Sequence, residues 1–479
     1  MNPLHLESLL NHLHIDNRNT LAVIEGVQID YRAFSTRVFS QAHSLLQLPD
    51  SRVGILASNH IDTYTTILAC WLSGKSYVPI GADWPTERVI QVLEIANVQC
   101  LCVSDIQDPP NVPQKIYTSK SLETIEYQYP PQLKIDIEAE AYVLFTSGST
   151  GIPKGVPISH ANLEAFFEGF LQLGYQINES DKFLQMFDFT FDLSIASFMI
   201  PLCFGASFYP PSRTQIKSIA LYDTLDRYQI TFALMVPSVL QILQPYLSEI
   251  DLPNLRYTQF CGEALNIQQV LDWQKCAPNS QIDNVYGPTE ATIYCSRYCI
   301  SRNNPILQQN GIVSIGSPMK LVDFSIVNNE LIIHGRQLSK GYLNQIKNPA
   351  FFEDKQMRNS YYSGDIAYFL EGHYFCLGRI DQQIKIQGYR VELTEIENYF
   401  NVNFNHKVSV AIAKNNDRNL TEIYLFVQQV SDIDETQILA VLKKGLPPYM
   451  IPSKFIFLKE FPLNSNGKID RKHLKEWTI

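Results

Sequence analysis

Short aliphatic and β-branched runs alternate with amphipathic stretches along most of the chain. SRVGILAS (51–58) is followed by a helical pattern around 61–74, then SYVPI (76–80), a second helical pattern around 86–97, and QCLCVS (99–104). Apolar runs of this length between helical segments predict parallel strands joined by crossover helices. The rhythm continues through ASFYPP (206–211), ITFALMVP (230–237) and LRYTQFCG (255–262). The longest apolar stretch, IASFMIPLCFGASF (195–208), is too short to span a bilayer and reads as a buried helix running into a strand. After about residue 310 the pattern changes. VDFSIVNNELIIHG (322–335) and GHYFCLGR (372–379) predict antiparallel hairpins around polar turns. From 381 onward a strand, a helix, two strands, a helix and a strand predict a small α+β lobe of roughly 100 residues. The charged turn at 378–381 marks the boundary, giving expected domains 1–380 and 381–479.

Composition narrows the class. A chain of 479 residues implies two or three domains, and 45% hydrophobic with 18% charged residues is ordinary globular usage. Lys plus Arg is 38 against 48 Asp plus Glu, a net charge of −10, with no basic cluster. That argues against a nucleic-acid partner. The nine cysteines form no CxxC pair and no histidines stand at zinc spacing, so reduced thiols in a cytoplasmic compartment are expected. The start, MNPLHLESLLNHLHID, lacks the basic and apolar regions of a signal peptide, and no membrane association is expected.

One stretch carries candidate chemistry. FTSGSTGIPKG (145–155) departs from a Walker A loop: Gly148 and Gly151 are three apart and Gly155 follows Lys154 where a hydroxyl residue would stand. The physics is nevertheless that of anion binding. Gly148 and Gly151 let backbone N–H groups approach phosphate oxygens, Thr146, Ser147, Ser149 and Thr150 add hydroxyl donors, and Lys154 adds a mobile charge. A solvated Ser/Gly loop is the competing reading.

The loop resembles the phosphate-binding signature of the adenylate-forming enzymes, the superfamily that includes nonribosomal peptide synthetase adenylation domains and acyl-CoA synthetases. Further stretches are similar to that family's elements in order: SGKSYVPIGADWP (73–85), FDLS (191–194), NVYGPTEATI (284–293), ELIIHGRQLSKGYLN (330–344), YSGDIA (362–367), GRIDQQIKIQGYRVELTEIE (378–397), LPPYMIP (446–452) and NSNGKIDR (464–471). The resemblance implies a large α/β N-terminal domain, built of two sheet–helix subdomains plus a distorted β-barrel, and a small α+β C-terminal lobe. It implies ATP and Mg²⁺, with attack of a carboxylate on the α-phosphate. The loop at 146–154 would hold the β- and γ-phosphates. Lys468 would bridge the carboxylate and α-phosphate, and Glu290 would ligate Mg²⁺. Thr289 would bond the α-phosphate, and Tyr286 with Gly287 would face the adenine. Asp365 would accept from the ribose hydroxyls beside Arg379. Asp381 would be the hinge about which the C-terminal lobe turns between two half-reactions.

The same resemblance addresses the acid and the acceptor. Asp192 would pair with a substrate α-ammonium; a fatty acid offers none, and a buried unpaired carboxylate is costly. A helix N-cap is the plainer reading of that aspartate. The side-chain pocket would be lined by Leu193, Ala196, Leu234, Gln259, Cys261, Val285, Ile293 and Tyr294, none of them charged. A small neutral amino acid is expected. Ala196, where the D-alanine:carrier-protein ligase branch usually has a bulky residue such as methionine, should leave room for more than a methyl group, so proline, valine and alanine are the candidates. The resemblance to stand-alone prolyl adenylating enzymes directs the expectation to L-proline, with a D-alanine:carrier-protein ligase as the alternative. The chain closes nine residues after Asp470 with no carrier-protein motif. A free-standing enzyme that loads the phosphopantetheine thiol of a separate carrier protein is therefore expected. An acyl- or aryl-CoA ligase and a non-catalytic binding protein of the same fold are the rivals.

Overall fold

The computed structural model describes every residue except 1, 106, 124, 133, 149–150, 213, 344–347, 382, 405–407, 417–419, 429–433, 465–468 and 478–479. Contacts divide the chain into two compact units. The first comprises 1–82, 93–144 and 155–380; the second comprises 83–92, 145–154 and 381–479.

The first unit is built on sheets of the kind the apolar runs predict. A six-stranded sheet runs in the order Lys115–Thr118, Cys100–Val103, Arg52–Ala57, Ser76–Gly81, Glu140–Thr146, Lys154–Ser159. Its first five strands pair in parallel. Every residue of Ser76–Gly81 and of Cys100–Val103 is buried, as strands covered on both faces must be. A nine-stranded sheet has a parallel centre, in which Ser207–Tyr209, Lys182–Leu184, Phe232–Met235, Tyr257–Phe260 and Gln281–Tyr286 follow one another, and antiparallel edges. The helices Ile61–Leu72 and Asp192–Cys203 are buried at all twelve positions each, which explains why they are apolar all round rather than on one stripe. The third sheet is antiparallel and five-stranded. Its hairpin Val322–Val327/Glu330–Gly335 closes on Asn328–Asn329, both at positive φ, the conformation a two-residue turn of matching twist requires and asparagine tolerates. This is the architecture expected: an α/β body with a partial barrel.

In the second unit the hairpin Gln383–Ile386/Tyr389–Glu392 leads into the helix Leu393–Asn403. Strands Ser409–Asn415, Thr421–Gln428 and Lys454–Leu458 form a mixed sheet, with Glu435–Gly445 as the second helix. Ile396, Phe400, Leu425, Ile438 and Leu442 centre its core. Arg471 makes a two-pronged bond to Glu397, both contacts at 2.8 Å, tying the last helix to the first.

One buried pair in the first unit sets a stability expectation. His5 and His160 are fully buried, their rings stacked at 5.4 Å, with His5 Nε2 3.2 Å from His160 Nδ1 and Trp71 edge-on to both. Burial, and for His5 the neighbouring ring, holds both below the usual imidazole range, His160 at about 4. Below pH 6.5 the unfolded chain binds protons that the folded chain refuses, so stability is intact above 6.5 and lost as pH falls toward 4. Each histidine contributes a slope of up to about 1.4 kcal/mol per pH unit. Denaturant unfolding between pH 7 and 5 should show the loss, and His5→Phe should make the dependence shallower.

Candidate active site

Three of the residues expected at the nucleotide converge. Asp365, on the strand Asn359–Leu370, lies opposite Arg379 on His373–Arg379, and their side chains pair at 2.7 Å. The Tyr286 hydroxyl donates to the other carboxylate oxygen. Asp365 is therefore fixed and aimed from two sides, while burial and then Asp365 push the Tyr286 hydroxyl well above its ordinary range. The sequence predicts only a ring face at this tyrosine; the structure adds that its hydroxyl anchors the aspartate.

The segment after Tyr286 is tightly constrained. A Cβ on Gly287 would stand 2.4 Å from the Tyr294 Cα, so only glycine fits. A single 3-10 turn, Thr289–Ala291, then carries Thr289 and Glu290. Thr292 and Ile293 follow at φ +56° and +70°, a left-handed conformation that β-branched residues rarely adopt. Glu290 is fully buried; its carboxylate accepts from the Tyr342 hydroxyl at 2.6 Å and its carbonyl from Ser339 N at 2.8 Å.

Asp192 opens the buried helix Asp192–Cys203. Phe191, not Asp192, occupies the N-cap, so the plainer reading of this aspartate as a cap does not hold. Further along the helix, Ala196 and Ile200 border a cavity of ≈ 10 Å³, room for about one water molecule, closed by Phe183, Phe232, Leu234 and Gln259. Of the pocket residues expected from the sequence, Ala196, Leu234 and Gln259 line this cavity, and Tyr294 bonds Gln259. Leu193, Cys261, Val285 and Ile293 are buried as well. The Gln259 amide is fixed by Tyr175 at 2.8 Å and Tyr294 at 3.2 Å, and Tyr175 donates to Asp283, which pairs with Arg297 at 3.0 Å. Sequence reasoning missed Phe183, Phe232 and this network, because they come from strands that neighbour one another only in the folded sheet.

In the second unit, the glycine-rich loop is held by the hairpin and helix of the C-terminal segment. Ser147 Oγ donates to the Arg390 carbonyl and accepts from Glu392 N, both at 3.0 Å. Gly148 N donates to the Glu395 carboxylate at 3.0 Å, and Gly151 N donates to the Gly148 carbonyl at 2.9 Å. A Cβ on Gly148 would lie 1.8 Å from the Ile152 carbonyl oxygen. Glu395 is buried and pairs with buried Arg88 at 2.7 Å. Burial pushes Glu395 above the usual carboxylate range, opposed by Arg88, the Gly148 N–H and Lys154. The Gly148 amide is thus taken by the Glu395 carboxylate. Thr146 is buried beside it at the end of its strand, and Asp381 accepts from Gln383 N at 3.1 Å. Ser149, Thr150 and Lys468 lie outside the described residues.

Among the described residues no three His, Cys, Asp or Glu side chains gather as a self-sufficient metal site, and no helix is long and apolar enough to cross a membrane.

Comparison with known proteins matches residues 15–343 to the AMP-binding enzyme family. The chain is 31% identical to the D-alanine--D-alanyl carrier protein ligase of Staphylococcus epidermidis, over 98% of this chain and 99% of that one. It is 30% identical to gramicidin S synthase 2 of Brevibacillus brevis, over 95% of this chain but only 10% of the synthase. Among solved structures, the Vibrio cholerae adenylation domain AlmE in complex with glycyl-adenosine-5'-phosphate superimposes with a TM-score of 0.85 at 24% identity, covering 99% of this chain and 98% of that one. That likeness speaks to the fold. The chain belongs to the AMP-binding enzyme family and is an AMP-forming ligase of the adenylate-forming superfamily.

Proposed function

We propose that the protein activates a small neutral amino acid with ATP, forming an aminoacyl adenylate and pyrophosphate, and passes the aminoacyl group to the phosphopantetheine thiol of a carrier protein in the cytoplasm. The observation that carries the amino-acid reading is Asp192: a buried carboxylate at the head of a fully buried helix suits an ammonium and ill suits a plain acyl chain. Tyr286, Asp365 and Arg379 form a polar cradle suited to a ribose, and the loop at 145–154, with Lys154, would hold the phosphates. Lys468 would neutralise the charge that develops at the α-phosphate, and Asp381 would be the hinge of a mobile lobe 381–479. Glu290, with Thr289 beside it, fits Mg²⁺ as a hard carboxylate that completes its coordination with phosphate oxygens; no larger protein donor set is needed. When bound, the ion supplies charge neutralisation of the triphosphate.

Relatives of matching length are D-alanine--D-alanyl carrier protein ligases, and that likeness favours alanine over proline. Amino-acid-dependent ATP–pyrophosphate exchange across the twenty amino acids plus D-alanine tests both levels. Exchange is expected with alanine of one hand well above all others, and weaker or none with proline. Exchange with fatty or aromatic acids alone would replace this reading with an acyl- or aryl-CoA ligase, and none with any acid would leave a binding protein.

A further inference from the structure

Three neighbouring strands of the antiparallel sheet bring two serines and a histidine together. Ser325 lies on Val322–Val327, His334 on Glu330–Gly335 and Ser360 on Asn359–Leu370. His334 stands opposite Asp323 on one side and Ser360 on the other. Alternation along the strands turns Phe324, Ile333 and Tyr361 to the core and leaves Ser325, His334 and Ser360 on the other face. His334 Nε2 is 2.8 Å from Ser325 Oγ, and its Nδ1 is 2.7 Å from Ser360 Oγ. His334 and Ser360 are buried, while Ser325 is only partly covered.

Hydrogen-bond polarity fixes the tautomer of the ring. The Ser360 hydroxyl donates its one hydrogen to the Arg358 carbonyl at 3.0 Å, so its oxygen accepts from His334 Nδ1–H. The Asp354 carboxylate, 3.7 Å from the same nitrogen, also favours a proton there. Nε2 then carries a lone pair, and the Ser325 hydroxyl donates to it. Burial first, and then the Arg358 guanidinium, hold His334 below the usual imidazole range against the opposing pull of Asp354 and Asp323, so the ring is a neutral base at neutral pH. A histidine that merely tied strands together would serve in either tautomer. Here the basic nitrogen is the one on the partly open serine, and a third group orients the ring from behind, the arrangement that activates a hydroxyl nucleophile.

We propose that Ser325 is a nucleophile that accepts acyl groups from esters with a good leaving group, with His334 as its general base and Ser360 as the positioning residue that holds the ring. This activity is separate from adenylate formation and uses none of the residues assigned to it. Ser325 Oγ forms a bond to the acyl carbon as its proton passes to His334 Nε2. The ester C–O bond breaks, the leaving oxygen keeps the electron pair, and the imidazolium returns the proton to it. Water then attacks the acyl-serine, giving a proton to His334 that passes on to Ser325 Oγ as the carboxylic acid departs. A positioned general base contributes about 10²–10⁴-fold to such a step.

The test follows nitrophenolate release from 4-nitrophenyl acetate by the full chain and locates the acetyl group in acid-quenched samples by peptide mass spectrometry. The wild type should carry the acetyl group on Ser325. Ser325→Ala should abolish the protein-dependent release, and His334→Gln should lower it about a hundredfold or more. Ser360→Ala should lower it up to about tenfold, the worth of one orienting hydrogen bond, and Ser360→Thr, which keeps the hydroxyl, should restore it. ATP–pyrophosphate exchange should be the same in Ser325→Ala as in the wild type. Release by Ser325→Ala at the wild-type rate, or acetyl groups elsewhere with none on Ser325, overturns the proposal. Release that His334→Gln leaves unchanged overturns the role of the histidine and with it the proposal. Ser325→Ala, at a partly covered position, retains the fold, so its result decides even where His334→Gln is destabilised.

Discussion

Asp192→Asn should lower kcat/KM for the activated amino acid by roughly 10²–10³, leaving ATP affinity near wild type. Removing one partner of a buried charge pair costs about 3–5 kcal/mol, because the other charge stays desolvated and unmatched. The amide keeps the volume and can still accept a hydrogen bond, but it cannot neutralise an ammonium. Lost helix stability is a minor term: Asp192 lies in the first turn, where a negative side chain contributes about 0.3–1 kcal/mol through the helix dipole. Steady-state pyrophosphate exchange, with amino acid and ATP varied separately, resolves the two. A decrease below about threefold would remove the ammonium role from this residue.

The second large effect is on stability. Arg88→Met leaves Glu395 buried with no cation at 2.7 Å, and about 3–5 kcal/mol of unfolding free energy should be lost. The effect should reach the glycine-rich loop, because Glu395 is also the acceptor for Gly148 N. Replacing both partners, Arg88→Met with Glu395→Leu, should recover part of the loss by removing both buried charges. Recovery stays incomplete because the Gly148 amide then lacks its acceptor. Urea unfolding of the two variants and the wild type gives the numbers; a single variant within about 1 kcal/mol of wild type would show that the pair is dispensable.

Much of this organisation is legible in the chain because its signals are local. Apolar runs such as SYVPI mark strands buried on both faces, and Asn328–Asn329 marks a hairpin by backbone preference alone. The resemblance of the motifs located Asp365, Arg379 and Tyr286 one by one. It did not reveal that Tyr286 and Asp365 touch, because 79 residues separate them and only the pairing of sheets brings them together. Arg88 and Glu395, 307 positions apart, gave no sign of each other: each reads as a surface charge on an amphipathic helix until the fold buries both. The register of His334 with Ser360 is equally silent in sequence. Strand spacing says that two runs are strands; it does not say which residues stand opposite.

The left-handed pair Thr292–Ile293 has a consequence for engineering. Side chains there owe their direction to a backbone conformation that disfavours them by on the order of 1–3 kcal/mol each, held in place by the surrounding packing. Trading Ile293 for a smaller residue would relax the main chain as well as empty space, so altered selectivity could not be ascribed to volume. Leu234 on a regular strand is free of that ambiguity, and under the proposed function a library that tests bulkier monomers belongs at that position.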